Sequence, residues 1–135
     1  MPTLTRWFLK IALLYLLLAL CVGILLAVPG DSPLMGLFAI YIHTLVFGWL
    51  TQLIFGVALW MFPKYSTDRP RGYEWLGWAT LISLNLGLVL RIIFEPIQSI
   101  APSPASGWML VFSAVLQWLS GVTFVVNTWA RVREK

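Results

Sequence analysis

From Leu34 to Phe62 the chain carries no Asp, Glu, Lys or Arg, and the only residue there that could become charged is His43. A run of that length and polarity has few places to fold. Lipid offers backbone N–H and C=O groups no partners, so a span must satisfy them internally, and a helix does so with about 20 apolar residues. Three more runs follow the same pattern. Ile11–Val28 is introduced by Arg6 and Lys10, a third extends from about Tyr73 to Glu95, and a fourth from about Ala105 to Ala130. Charged residues are 10% of the 135 and hydrophobic ones 60%, against roughly 25% charged in a soluble domain. A soluble fold of this size cannot hide that much apolar surface. The expected fold is therefore all-α: one four-helix transmembrane bundle over residues 1–135, with helices at about 6–28, 34–62, 73–95 and 105–130. That leaves no room for a separate soluble domain. The first run is long for the apolar core of a signal peptide, so it is read as a retained helix.

The breaks between runs are turn chemistry. Pro29, Gly30, Asp31, Ser32 and Pro33 separate the first two helices. Pro63 and Lys64 end the second, and Tyr65–Gly72 is polar and basic. Pro96–Pro104 holds three prolines and two serines and reads as a loop. The net charge of +4 is not spread evenly. Arg6 and Lys10 precede helix 1. Lys64, Arg69 and Arg71 lie between helices 2 and 3. Arg131, Arg133 and Lys135 follow helix 4. All of these fall on one side of a four-pass chain, and the other two loops have no Lys or Arg. The positives therefore mark topology rather than a nucleic-acid surface. The positive-inside rule puts both termini and the middle loop in the cytoplasm, and the expected home is a bacterial inner membrane. Trp7, Trp75, Trp78, Trp108 and Trp129 fall near run ends, as an aromatic belt requires. The single cysteine, Cys21, excludes an intrachain disulfide and reads as a small core residue.

Ionisable groups at membrane depth are costly and default to a functional reading. There are two cases, His43 and the pair Arg91 with Glu95. Counting rise per residue, His43 sits roughly 13 Å below the outer face and Arg91 roughly 6–7 Å. Gly87 is one turn deeper than Arg91, close to the level of His43. Ser83, Gly87, Arg91 and Glu95 recur every fourth residue and so share one face. A flat anionic cofactor suits that face, with its metal at His43, its ring over Gly87 and its carboxylates against Arg91. Heme b has that shape, neutral imidazole is a good iron ligand, and Arg suits carboxylates. Gly48, Gln52 and Gly56 form a separate stripe on helix 2, suited to close packing within the bundle. Structural readings stand beside these. A lone histidine can donate a hydrogen bond to a neighbouring helix. Arg91 and Glu95 can form a helix-end ion pair with the guanidinium snorkelling to the interface. Gln52, Asn85, Gln117 and Asn127 read as interhelical glue.

Helix 2 reads His43-Thr44-Leu45-Val46-Phe47-Gly48-Trp49-Leu50, then Phe55-Gly56, then Phe62-Pro63. This resembles helix II of the catalytic subunit of heme–copper oxidases, particularly the nitric oxide reductase branch. Helix 1, from Trp7-Phe8-Leu9-Lys10 to Gly23, also looks like helix I of those proteins. The resemblance covers residues 5–65 and implies that His43 is an axial ligand of a low-spin heme b. It implies no more than that. The family's second axial histidine and its binuclear-site histidines lie on helices this chain lacks, so oxygen or nitric oxide reduction by this chain alone is not implied.

Six-coordinate heme needs a second ligand, and the chain has one histidine. Met35 and Met109 both fall shallower than His43, by roughly 9–12 Å of helix rise. Two copies could each supply His43 across a two-fold axis, or the iron could stay five-coordinate. The symmetric homodimer is the expectation, giving a small membrane cytochrome that carries electrons or senses redox state or a gas, with a possible respiratory-chain partner. The rival expectation is an accessory or assembly subunit of a respiratory complex without a cofactor. A transporter subunit is the third, though the chain lacks broken helices with paired ionisable groups.

Overall fold

The computed structural model describes residues 1–29, 36–67 and 71–132. The core of the expected first turn, Gly30–Pro33, the start of helix 2 at Leu34, and Met35, Arg69, Arg133 and Lys135 lie outside the described residues. The described residues form helices and no strand: α1 Thr3–Ala27, α2 Leu37–Met61, α3 Glu74–Ile100 and α4 Pro104–Trp129. Each is long and apolar enough to cross a membrane. At about 1.5 Å per residue the shortest spans about 37 Å, more than the roughly 30 Å of bilayer hydrocarbon.

The boundaries follow local chemistry, with one departure from expectation. Proline usually ends a helix because it lacks an N–H and crowds the carbonyl four residues back. Here α3 runs through Pro96 to Ile100, so the loop expected at Pro96–Pro104 is confined to the stretch after Ile100. Membrane helices tolerate proline where neighbouring side chains take up the freed groups. Gln98 Oε1 accepts from Ser103 N–H at 3.3 Å and from the Ser106 hydroxyl, which ties the last turn of α3 to the first of α4. Ser103 then caps α4, its Oγ accepting from Ser106 N–H at 3.1 Å, with Pro104 in the first turn.

The bundle is two hairpins packed side by side. In the first, α2 offers α1 two glycine notches. A Cβ at Gly48 would fall 2.6 Å from Tyr15 Cγ, and one at Gly56 2.6 Å from Phe8 Cβ. Between them Gln52 Nε2 donates to the Phe8 carbonyl at 3.4 Å. The Gly48–Gln52–Gly56 stripe thus packs within the bundle as expected. In the second hairpin, Ser106, Ser113, Ser120 and Asn127 are all buried and recur every seventh residue. That period makes a left-handed seam of small polar residues along α3. The hairpins meet where Leu4, Phe8, Leu59 and Leu81 cluster near one end, and where Val22, Leu37 and Ile40 pack with Ile92 near the other. Phe55 of α2 stacks on Phe124 of α4 with ring centroids 3.9 Å apart. Cys21 is exposed on α1, not buried as a core residue. Trp7, Trp75, Trp108 and Trp129 are exposed near helix ends.

Candidate functional site

His43 is the last residue of the first α-helical segment of α2, and a π-helical stretch, Thr44–Thr51, begins immediately after it. The residues at this junction supply a reason. His43 Nδ1 lies 2.8 Å from the Ala39 carbonyl, and Thr44 Oγ1 donates to the carbonyls of Ile40 at 2.8 Å and Tyr41 at 3.1 Å. Side-chain donors on three successive carbonyls compete with the backbone donors that would bind them in an α-helix. Turns widened in this way occur frequently at functional sites.

A carbonyl only accepts, so Nδ1 of His43 carries the proton and a neutral ring presents Nε2 as its free lone pair. Nε2 has no hydrogen bond among the described residues. The ring is half-buried and stacks on Phe47, centroids 5.8 Å apart at 19°. A histidine held by one nitrogen with the other presented is the arrangement metal-ligating histidines adopt.

Packing fixes the level of His43. A Cβ at Gly36 would meet Ser99 Oγ at 2.8 Å and the Glu95 carbonyl at 3.2 Å. His43 is one heptad further in on the same face of α2. On the antiparallel α3 that places it at about residues 88–92, the turn that carries Arg91. Because α3 extends to Ile100, Arg91 is roughly 13 Å from its helix end rather than 6–7 Å. The level expected for Gly87 therefore belongs more nearly to Arg91.

Gly87 has a different role from the one its spacing suggested. A Cβ there would fall 2.9 Å from the Ser113 carbonyl and 3.0 Å from Gln117 Cγ, and Ser113 Oγ donates to the Gly87 carbonyl at 2.7 Å. The notch expected to receive a heme ring is filled by α4. Arg91 and Glu95 form an ion pair at 3.1 Å, with side chains 17% and 19% exposed, though the pair lies inside α3 rather than at its end. Arg91 Nε is buried without a partner. The residues expected to act as glue divide into two groups. Gln52 and Asn127 bond across helices, whereas Asn85 bonds the Leu81 carbonyl of its own helix and Gln117 bonds Ser113 on its own helix. No group of three metal-ligating side chains forms among the described residues.

Arg131, read from sequence only as a topology charge, is almost fully buried at 1% exposure. Its guanidinium donates to the carbonyls of Phe62 at 2.8 Å, Pro63 at 3.0 Å, Leu59 at 3.1 Å and Arg71 at 3.5 Å. It caps the C-terminal end of α2 from beyond the end of α4. Burial, and then the nearby Arg71 charge, hold its pKa below the usual arginine value. Only its basic character and position after the fourth run were visible in the sequence.

Fold and site together define a bundle of four helices of membrane-spanning length with a half-buried histidine in the second, its Nε2 without a hydrogen bond among the described residues. Comparison with protein-family models, curated proteins and solved structures found no match to this chain.

Proposed function

We propose that this chain is a small b-type cytochrome of a bacterial inner membrane, with both termini in the cytoplasm and His43 as an axial ligand of a heme b shared between two copies. The observation that carries the reading is the pinned ring: Nδ1 is committed to the Ala39 carbonyl and Nε2 is left free at membrane depth. An unpartnered imidazole nitrogen in lipid is costly, so something outside this chain is expected to bind it. The resemblance of the His43–Pro63 stretch to a heme-ligand helix supports iron as that partner.

The residues fit the group in part. His43 supplies the ligand atom, and the Ala39 carbonyl holds the tautomer and raises the ring's basicity. Arg91 supplies a cation at the same level, with Nε unused, although Glu95 claims the rest of the guanidinium. Gly87 contributes no cradle. The bound heme would supply one-electron redox chemistry. With one histidine per chain, a second copy would supply the other ligand, and a heme held by two histidines would favour electron transfer with a respiratory partner over catalysis. The test is a reduced-minus-oxidised optical spectrum of the purified protein, with helicity followed by circular dichroism. The reading predicts a b-type signal that disappears in His43→Ala while helicity persists. A wild-type protein with no such signal would instead favour the accessory-subunit reading, with Nε2 accepting a hydrogen bond from another subunit.

A further inference from the structure

The other end of the bundle, which carries Lys10, Lys64, Arg71 and Arg131, holds a cleft of about 610 Å³ between the starts of α1 and α3. That volume is within the range of small-molecule sites, roughly 300–1,000 Å³. Its apolar walls include Leu4, Leu59 and Trp75, and its polar lining includes Thr5, Arg71, Tyr73, Glu74 and Asn127. Asn127 is 4% exposed. Its Oδ1 accepts from Tyr73 N–H at 2.9 Å, which fixes the amide, and its Nδ2 donates to nothing among the described residues. The Arg71 guanidinium likewise makes no hydrogen bond or ion pair among them.

An apolar groove of about 520 Å³ runs along the same two helices, between Trp7 and Ile11 on α1 and Trp78, Ile82 and Leu86 on α3. Leu4 and Ile11 are seven residues apart, as are Trp75 and Ile82, so each helix turns one face to both cavities. The polar cleft at the basic end and the open apolar groove thus lie one beyond the other along the same two helices, with Leu4 packed on Gly77 between them. Arg71 and the free Asn127 amide suit phosphate oxygens. Glu74 can accept from a headgroup hydroxyl. The tryptophans mark the interface, and a basic pocket between helices at this end suits anionic lipid.

We propose that this is a binding site for an anionic glycerophospholipid, with its phosphate on Arg71 and Asn127 and one acyl chain in the Trp7–Trp78 groove. The proposal is independent of the heme reading. The experiment is native mass spectrometry of the full chain, delipidated in detergent and titrated with phosphatidylglycerol or phosphatidylcholine of the same chains. The expected result is one retained phosphatidylglycerol per chain, bound about tenfold more tightly than phosphatidylcholine. Arg71→Gln should bring the two lipids within about twofold of each other. Ile82→Trp, at an exposed position that fills the groove, should weaken both. Soluble glycerol phosphate, with no chain, should not bind at the same concentrations. Equal affinity for the two lipids in wild type, an unchanged preference in Arg71→Gln, or glycerol phosphate binding as tightly as the lipid would each overturn the proposal.

Discussion

Replacing Arg131 with alanine is expected to release the end of α2 from the rest of the bundle. The guanidinium makes three hydrogen bonds of 2.8–3.1 Å, to Phe62, Pro63 and Leu59. Carbonyls in the last turn of a helix have no helical donor, and a cation there also meets the negative end of the helix dipole. A hydrogen bond to a charged group contributes roughly 1.5–3 kcal/mol. The three do not simply add, since they share one charge, the freed carbonyls can reach interfacial water, and the buried cation pays for desolvation. The net cost of Arg131→Ala is then about 2–4 kcal/mol. Arg131→Lys keeps the charge but not the planar fork, so it should recover about half of that. The assay is reversible unfolding in mixed micelles of increasing dodecyl sulfate fraction, followed by helical circular dichroism. A base whose folded pKa is lowered adds stability only as pH rises through that pKa. For Arg131 that range is strongly alkaline, so the alanine penalty should be the same at about pH 5.5 and pH 8. An alanine variant within about 0.5 kcal/mol of wild type would refute the latch, because that is the spread of surface substitutions.

Three further outcomes follow from the packing. Gly48→Ala and Gly56→Ala each force a methyl into Tyr15 or Phe8 and should cost about 1–3 kcal/mol in the same assay, whereas Gly121→Ala, with nothing within 4 Å, should be neutral or mildly stabilising. Ser113→Ala removes the 2.7 Å bond to the Gly87 carbonyl and should cost about 0.6–1.7 kcal/mol. Arg91→Met should destabilise more than the double change Arg91→Met with Glu95→Leu, because the single change strands a carboxylate 19% exposed; a double variant no better than the single would show that the pair's charge is not what matters.

The four spans were legible because each is a long apolar run, and lipid leaves the backbone little alternative to helix. The Gly48–Gln52–Gly56 stripe was legible for a related reason: close approach needs small side chains at helical spacing. The end of α3 was not. A proline in water usually stops a helix, but here the helix runs past Pro96 to Ile100, and its last turn is tied by Gln98 to the serines that open α4, a contact across the turn. The serine seam of α4 has a period of seven and is hidden among apolar neighbours. Its polarity becomes informative only once α3 is placed against it.

The candidate site was half legible. His43 stood out by its charge potential in an apolar run, and it stands in the first third of α2. Gly87 was recognised as a notch, but spacing on one helix does not say which neighbour fills it, and here that neighbour is α4. The role of Arg131 rests on residues 59 to 63 meeting residue 131 across the chain, and the π-helical turn rests on side-chain donors of His43 and Thr44 reaching back to carbonyls. Neither leaves a pattern in the linear sequence.

The most direct test of His43 as a shared heme ligand is a pyridine hemochrome assay on the protein purified from membranes, set against its chain concentration. The account predicts about one heme b for every two chains in wild type and none in a folded His43→Ala variant. One heme per chain would contradict the shared ligation, and unchanged heme content in His43→Ala would contradict the ligand itself.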